Sequence, residues 1–232
     1  MREHFEQIYR DHAEAYDRLA EREDHDGNLL VTLRAIARLV GREVVEFGAG
    51  TGRVTRLLAP LAARIQAFDA SAEMLEVARQ RTPDDVAHVH FAVGSHDQIP
   101  LSDGVADIAI EGWSFGHLAE DLPPTEAALA VQRAIDEMDR LVRPDGVLLL
   151  VETLGTGRTF PRPPAPHLEH LYRYVEQQGF HRSWCRTDYA FESESEARHL
   201  VELFFGESML EHLDPQTLRL PECTGIWHRV RA

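Results

Sequence analysis

The stretch that most constrains the fold of this chain is a glycine-rich turn behind a short apolar segment. Residues 44–47 (Val-Val-Glu-Phe) are typical of a buried parallel strand, and residues 48–52 (Gly-Ala-Gly-Thr-Gly) follow directly. Three glycines in five positions allow a sharp turn and a close approach of the backbone to a ligand. Leu57 and Leu58 then begin the apolar face of a helix. This order predicts a ligand-binding crevice beyond the strand; a glycine-rich loop without a ligand is the alternative.

After this turn, apolar strands and amphipathic helices alternate, which predicts a doubly wound α/β fold with a mainly parallel sheet. Helices are predicted over residues 2–22, 29–39, 54–61, from Ser71 onward, 123–141, 167–178 and 193–213. Strands are predicted over residues 64–68, 88–93, 106–110, 147–151, 186–191 and 223–230, the last as an edge or antiparallel strand. We expect one domain over 1–232, with a helical cap (1–40), a ligand-binding core (43–152) and C-terminal strands (153–232).

Composition narrows the class of partner and the location. The 232 residues are enough for one α/β domain with a sizeable core. Lys and Arg number 24 against 39 Asp and Glu, and a net charge of −15 argues against nucleic acid as the partner. A leader or a membrane segment is not expected, because no apolar run is long enough. The two cysteines, Cys185 and Cys223, favour a reducing compartment, so we expect the protein in the cytoplasm. A monomer or a homodimer is expected.

The ligand of an open α/β sheet binds beyond the carboxyl ends of its strands. The second predicted strand ends in Asp69, 19 positions after Gly50. An acid at this place can accept hydrogen bonds from both hydroxyls of a ribose; the alternative is an acid favoured by a helix N-terminus. A dinucleotide turn has the pattern G-x-G-x-x-G, but here the third glycine, Gly52, comes one residue early and Arg53 takes its place. A ligand with an adenosine and no phosphate fits better.

Residues 46–52, 68–75, 107–110 and 141–147 together resemble the motifs of class I S-adenosylmethionine-dependent methyltransferases. The flanking residues 22–24, 112–114, 152–157 and 220–227 resemble a bacterial subgroup of this family that acts on small molecules. Residues 46–52 (Glu-Phe-Gly-Ala-Gly-Thr-Gly) resemble the first motif of this family, and residues 68–75 resemble the second. Residues 107–110 and 141–147 are similar to the segments around its fourth and fifth strands. The resemblance covers residues 43–152 and implies a Rossmann-like sheet of seven strands, the last antiparallel, with S-adenosyl-L-methionine as cofactor.

The resemblance also implies which residues hold the cofactor. The predicted cofactor-binding residues are Tyr16, Glu46, Gly48, Ala49, Gly50, Asp69, Ala70, Met74, Ser95, His96, Asp97 and Glu111. Asp69 would hold the ribose hydroxyls and Tyr16 would close over the methionine end. The family often has Gly-Asp-Ala after the third strand, whereas residues 94–96 are Gly-Ser-His here. Asp97 is the acid nearest to the missing one.

Methyl transfer from a sulfonium needs mainly orientation, with a general base where the acceptor must lose a proton. His117 and Glu111 are the catalytic candidates, although His117 also fits a surface histidine and Glu111 a ligand contact. The predicted substrate-binding residues are His25, Trp113, His117, Tyr189 and Glu222, and Trp113 fits a core position equally well. We expect the N-terminal helices and the 193–213 helix to form a lid over the substrate.

Other classes of site and of function are less consistent with the sequence. The paired histidines His88 with His90 and His167 with His170 come without a clear third ligand, so no metal is expected. The loop at 111–114 (Glu-Gly-Trp-Ser) differs from the Pro-Pro-Tyr type of enzymes that methylate bases or glutamine amides. The expected function is transfer of a methyl group to an O, N or C atom of a small molecule. A non-catalytic S-adenosylmethionine sensor or partner subunit is the alternative.

Overall fold

The computed structural model describes residues 13–83, 86–120 and 122–232, and a mainly parallel sheet organises them. The helices are α1 (Ala13–Arg22), α2 (Asn28–Ile36), α3 (Arg53–Leu58), α4 (Ala72–Arg81), α5 (Phe115–Ala119), α6 (Pro124–Leu141), α7 (Pro166–Gln177) and α8 (Glu194–Phe205). The strands are β1 (Glu43–Phe47), β2 (Arg64–Asp69), β3 (Val89–Val93), β4 (Ala106–Gly112), β5 (Val142–Thr156), β6 (His181–Arg186), β7 (Tyr189–Ala190), β8 (Arg219–Leu220) and β9 (Glu222–Val230). A 3₁₀ helix spans Glu207–His212.

The seven-stranded sheet has the order β3-β2-β1-β4-β5-β9-β6, and β7 pairs with β8 in a separate ladder. Strands β1 to β5 pair in parallel, whereas β9 runs antiparallel to both β5 and β6. The predicted Rossmann-like sheet with an antiparallel last strand is therefore confirmed. Strand order reverses between β1 and β4, and the helices that follow these two strands pack on opposite faces of the sheet, which leaves a crevice at the carboxyl ends of β1 and β4.

Alternation along β1 divides the core between the two faces of the sheet. Val45 and Phe47 pack with α6 and α7 residues such as Met138 on one face. Val44 packs on the other face with residues of α2, α3 and α4, including Leu33. A third apolar cluster joins α1, α8 and the β7-β8 ladder around Val201. This third cluster fixes the helices that cover the crevice.

Local signals in the sequence explain several helix ends. Ser71 has extended backbone and its hydroxyl accepts the N–H of Met74, so it caps α4 as predicted. Pro124 occupies the first turn of α6, where its missing N–H costs nothing. The predicted first helix lies outside the described residues up to residue 12, and its remainder forms α1. The second helix ends at Ile36, three residues before its predicted end.

Two C-terminal predictions are wrong. The sheet strand is His181–Arg186 and not 186–191, because the chain leaves the sheet after Arg186 and only Tyr189–Ala190 pairs again, with β8. The helix predicted over 193–213 ends at Phe205, where Gly206 has φ 85° and a 3₁₀ helix follows. Helix α8 and the 3₁₀ helix still lie between β6 and β9, as expected of an insertion.

Candidate functional site

The glycine turn after β1 adopts backbone conformations that side chains disfavour. Gly48, Gly50 and Gly52 have φ values of 64°, 54° and 83°. A Cβ atom on Gly48 would lie 2.4 Å from the Cβ atom of Ser114, and one on Gly52 would lie 3.2 Å from that of Ala78. Both backbone conformation and space therefore require glycine at Gly48, so the turn forms a tight backbone cradle.

Asp69, at the end of β2, holds this turn in place. Its Oδ2 accepts the N–H of Gly50 and its Oδ1 accepts the N–H of Ser71, both at 2.8 Å. Burial raises the pKa of the Asp69 carboxyl, and the backbone N–H donors counter that effect. The carboxylate thus joins the ends of β1 and β2 while its side chain lines the crevice.

Glu46 is a second carboxyl at the crevice, one residue before the end of β1. It is almost fully buried, and the hydroxyl of Thr55 donates to its Oε2 at 2.5 Å. Burial raises the pKa of Glu46 to about 8. The side chain is therefore largely protonated at neutral pH until a positive charge comes near it.

A cavity of about 240 Å³ lies over the glycine turn. The predicted residues that line it are Tyr16, Glu46, Gly48, Ala49, Gly50, Asp69, Ala70, Met74, His96, Trp113 and His117. The structure thus brings together most of the residues predicted for the cofactor, from α1, the ends of β1, β2 and β4, and the loop after β3. Ser71 and Thr51 line it as well, although neither is predicted from the sequence to contact the ligand.

Three predicted cofactor residues lie elsewhere. Ser95 and Asp97 are exposed and bond to each other, since the Ser95 hydroxyl donates to the Asp97 carboxylate at 2.7 Å. Asp97 also lies 3.7 Å from Arg133, on the outer surface. The loop turns both side chains outward, so of residues 95–97 only His96 lines the cavity.

Glu111 is fully buried and lines neither this cavity nor the one described below. Its Oε2 accepts the backbone N–H groups of Ser114 (3.1 Å) and Phe115 (3.3 Å), and its Oε1 accepts that of Val151. Burial raises its pKa to about 7. The geometry gives Glu111 the position of a residue that holds the loop opposite Gly48, away from reacting atoms.

His96 contacts that same loop from the other side. Its Nε2 lies 3.2 Å from the Ser114 hydroxyl, and its ring meets the Phe115 ring edge-on at 5.4 Å. Burial lowers the pKa of His96 to about 4, so the ring is neutral at physiological pH. A neutral imidazole can donate or accept a hydrogen bond toward a nucleobase.

A second cavity, of about 370 Å³, adjoins the first on the side of α8. Of the predicted substrate residues, Trp113, His117, Tyr189 and Glu222 line it, whereas His25 is exposed in the turn after α1 and does not. Aromatic side chains dominate the wall beside α8, where Tyr16 meets Phe204 and Tyr189 meets Phe205, both edge-on. This cavity has the form of a pocket for a small organic molecule.

Four side chains line both cavities: Tyr16, Arg53, Trp113 and His117. The guanidinium of Arg53 stacks 3.8 Å from the centre of the Trp113 ring and donates to Glu23 at 2.6 Å. Trp113 has φ 55°, a conformation that costs a bulky residue free energy. His117 Nδ1 lies 3.4 Å from the Glu120 carboxylate. Molecules in the two cavities would meet at this shared wall.

Sequence reasoning missed Arg53, Glu23 and Glu152 as site residues. Arg53 was considered only as an obstacle to dinucleotide binding, although its place after the glycine turn put it beside the ligand. Glu152 follows the apolar residues 147–151, which is the same signal that identified Glu46 and Asp69 at their strand ends. Glu23 lies in a polar segment after α1, and nothing local marks it as buried.

Known sequences that are similar to part of this chain are methyltransferases. Residues 45–150 match a family described as "Methyltransferase domain". A malonyl-[acyl-carrier protein] O-methyltransferase of Serratia marcescens is 37% identical over 117 residues, which are 50% of this chain and 40% of that protein. A ubiquinone/menaquinone biosynthesis C-methyltransferase of Rubrivivax gelatinosus is 33% identical over 120 residues, 52% of this chain and 43% of that protein. The match thus spans less than half the length of either relative.

Solved structures share the fold over most of the chain. The YcgJ protein of Bacillus subtilis has a TM-score of 0.57 and 16% identity, covering 89% of this chain and 99% of that one. A magnesium protoporphyrin IX methyltransferase of Synechocystis, solved with S-adenosylmethionine bound, has a TM-score of 0.54 and 16% identity. That likeness covers 96% of this chain and 85% of the other. Within the described residues, no helix combines the length and the apolar character needed to cross a membrane.

Proposed function

We propose that this chain, whose residues 45–150 match a methyltransferase domain, is a class I S-adenosylmethionine-dependent methyltransferase that transfers a methyl group to a small-molecule acceptor. The observation that carries the proposal is the pair of adjoining cavities with a common wall of Tyr16, Arg53, Trp113 and His117. One cavity lies over the family's glycine turn and the other is large enough for a small organic acceptor. Such a pair is what transfer between two bound molecules requires.

The residues over the glycine turn fit S-adenosylmethionine. Gly48 lets Ser114 approach the turn where a Cβ atom would clash, and Asp69 and Glu46 present carboxyl groups to the same cavity. We assign Asp69 to the ribose hydroxyls, Glu46 to the amino acid end, and His96 with Met74 to the adenine. When bound, the cofactor supplies a methyl carbon that is activated by a positively charged sulfur.

The protein's own contribution is mainly orientation and exclusion of water. Holding an acceptor against the common wall replaces a random encounter between two molecules. In well-aligned reactions this effect lowers the activation barrier by roughly 7–11 kcal/mol. His117, backed by Glu120, is the group we assign to proton removal from an acceptor that must lose a proton. Helices α1 and α8 contribute Tyr16 and Phe204 to the second cavity, and we propose that they form its lid.

The acceptor atom, O, N or C, is a separate question from the class of reaction. The chain's negative charge supports a small molecule over nucleic acid, and the cytoplasm remains the expected location. A non-catalytic sensor would bind the cofactor and release no product. A metabolite-extract screen that measures S-adenosylhomocysteine formation distinguishes the two: product above the no-extract control indicates an enzyme, and its absence with intact cofactor binding indicates a sensor.

The cofactor assignment is tested with a matched pair of glycine variants. Gly48→Ala places a methyl group 2.4 Å from Ser114 in a backbone conformation with positive φ, so we expect affinity for S-adenosylhomocysteine to fall at least about 100-fold. Gly104→Ala has the same backbone strain, φ 62°, but no atom within 4 Å of the added Cβ, and it lies away from the cavity. Isothermal titration calorimetry of both variants gives the comparison.

The control should keep wild-type affinity. Equal affinity of Gly48→Ala and the wild type would contradict the assignment of this turn. Binding of NAD in place of S-adenosylhomocysteine would contradict the proposed reaction itself.

A further inference from the structure

The second cavity contains more acid than base. Four carboxyl groups line it, from Glu23, Glu120, Glu152 and Glu222. Among the described residues that line it, the basic groups are Arg53, His117 and His167. Glu23 is paired with Arg53, and Glu120 lies 3.4 Å from His117. These pairs leave two carboxyl groups to be explained, on the neighbouring strands β5 and β9.

Glu222 and Glu152 have no ion-pair partner within the described residues. Glu222 is 1% exposed; its Oε1 accepts the Thr153 hydroxyl at 2.6 Å, and its Oε2 is buried without a hydrogen-bond partner there. Glu152 is 4% exposed; its Oε1 accepts the Gly116 N–H at 2.7 Å, and the backbone N–H of Phe115 also interacts with its carboxyl group. An unpaired buried carboxyl costs free energy.

The same burial shifts the pKa values of both carboxyl groups upward. Burial raises the pKa of Glu222 to about 8, and the carboxyl of Glu23 adds to the effect. Burial and the neighbouring Glu111 raise the pKa of Glu152 well above its ordinary value. A cation placed beside them would stabilise the ionised forms and relieve this cost, whereas an anion would increase it.

The remaining walls also suit an organic cation. Tyr16, Tyr189, Phe204 and Phe205 form two edge-on aromatic pairs along one side. Aromatic faces attract a cation by their quadrupole and pack against an apolar body at the same time. Carboxyl groups on one side and rings on the other are the two features that recognise an amine with a hydrocarbon skeleton.

We propose that the second cavity takes an acceptor with a protonated amine on a compact apolar body, and that Glu222 and Glu152 hold the ammonium group. This assignment deepens the proposed function and rests on it, because it treats the cavity as the acceptor site. It concerns the group that is recognised; the atom that receives the methyl group is a separate matter.

The test uses the full chain saturated with S-adenosylhomocysteine and three matched probes: 2-phenylethylamine, 2-phenylethanol and phenylacetate. The same sets on indolyl and cyclohexyl bodies vary the apolar part. We expect the amine of at least one set to bind about tenfold or more tightly than its alcohol and its acid, measured by ligand-observed NMR titration. The same or tighter binding of the acid in every set, or no binding by any amine, overturns the inference.

Two variants separate recognition from folding. Glu222→Gln keeps shape but not charge, and we expect it to lose about tenfold in amine affinity while the alcohol is unchanged. Glu126→Gln, an exposed position on α6, removes the same charge elsewhere and should leave both affinities unchanged. If Glu222→Gln binds the amine as the wild type does, the assignment of Glu222 is wrong.

Affinity for S-adenosylhomocysteine is also measured in every variant. Glu222 does not line the cavity over the glycine turn, so its substitution should leave this affinity unchanged. If the wild type does not bind S-adenosylhomocysteine, the proposed function is refuted. If it binds S-adenosylhomocysteine but shows no preference for amines, only the inference on the acceptor is refuted. Wild-type cofactor affinity in Glu222→Gln also shows that the variant folds.

Discussion

At the scale of single residues, glutamates are buried near the ends of three adjacent strands of the sheet. Glu46 on β1, Glu111 on β4 and Glu152 on β5 are all less than 5% exposed. Burial is the largest cause of the raised pKa in each of them. They differ in surroundings: Glu46 lines the cavity over the glycine turn, Glu152 lines the second cavity, and Glu111 lines neither. The same residue type thus has three different positions relative to the ligands.

The raised pKa of Glu46 makes stability depend on pH. Its folded pKa is about 8 against an ordinary value of 4.5, so the folded state keeps a proton that the unfolded chain releases in between. Its contribution to stability is therefore complete below about pH 4.5 and is lost as the pH rises through about 8. Other buried carboxyls with raised pKa values act in the same direction, so the unliganded protein is expected to lose stability toward alkaline pH.

Glu46→Gln tests this dependence, because glutamine keeps the hydrogen bond to Thr55 and does not titrate. Between about pH 6 and about pH 9, we expect the free energy of unfolding to fall by about 1–3 kcal/mol less in the variant than in the wild type. Urea unfolding at both pH values measures it. The exposed Glu207→Gln is the control and should behave as the wild type; an identical pH dependence in Glu46→Gln would contradict the assigned pKa.

At the scale of elements, α1 is fixed to the sheet layer by one buried acid. Asp17 is fully buried and lies 3.2 Å from Arg56 on α3 and 2.8 Å from Arg81 on α4. Arg56 also donates to the carbonyl of Thr51 in the glycine turn. This network joins α1, the helix that carries Tyr16, to the glycine turn. The position of Tyr16 in the wall shared by the two cavities therefore depends on it.

Asp17→Asn would leave two arginines facing a neutral side chain. We expect α1 to open more easily, with faster hydrogen exchange over residues 13–22 and a loss of about tenfold in S-adenosylhomocysteine affinity. Glu21→Gln is the matched control on the same helix, because Glu21 pairs with Arg81 at 3.3 Å but is 39% exposed. An exposed pair contributes roughly 0–1 kcal/mol, so its loss should change neither quantity. Equal exchange rates in both variants would contradict the role of Asp17.

The sequence predicts an element well where the signal lies within the element itself. It predicts an element poorly where the structure depends on contacts with residues that are distant in sequence. The apolar strands β1, β2, β4 and β5 and the glycine turn carry their own signals. Strand β6 has polar residues such as His181 and Arg182 because it lies at the sheet edge, and its pairing with β9 makes it a strand. The direction of Ser95 and Asp97 depends on a loop, and the burial of Glu23 depends on Arg53 and Tyr189, which are distant in sequence.

At the scale of the whole molecule, distant parts of the chain meet at one end of the sheet. The second cavity combines α1, the ends of β4 and β5, α8 and the start of β9, so positions from Tyr16 to Glu222 contribute to it. The cavity over the glycine turn comes mainly from the first half of the chain. The half that matches known methyltransferases thus forms one cavity, while the other needs C-terminal segments outside the match.

Because four side chains are common to both cavities, we expect the two binding events to be thermodynamically coupled. If the cofactor orders Arg53 and Trp113, part of the entropy that an acceptor must overcome has already been lost, so the acceptor binds more tightly to the occupied protein. Linkage requires the reverse effect to be equal: a bound acceptor must raise cofactor affinity by the same factor. We expect a factor of at least about 5 in both directions, measured by calorimetry, and a preferred order in which the cofactor enters first. If each ligand binds with the same affinity whether or not the other is present, the four shared side chains are already ordered in the unliganded protein and do not couple the two sites.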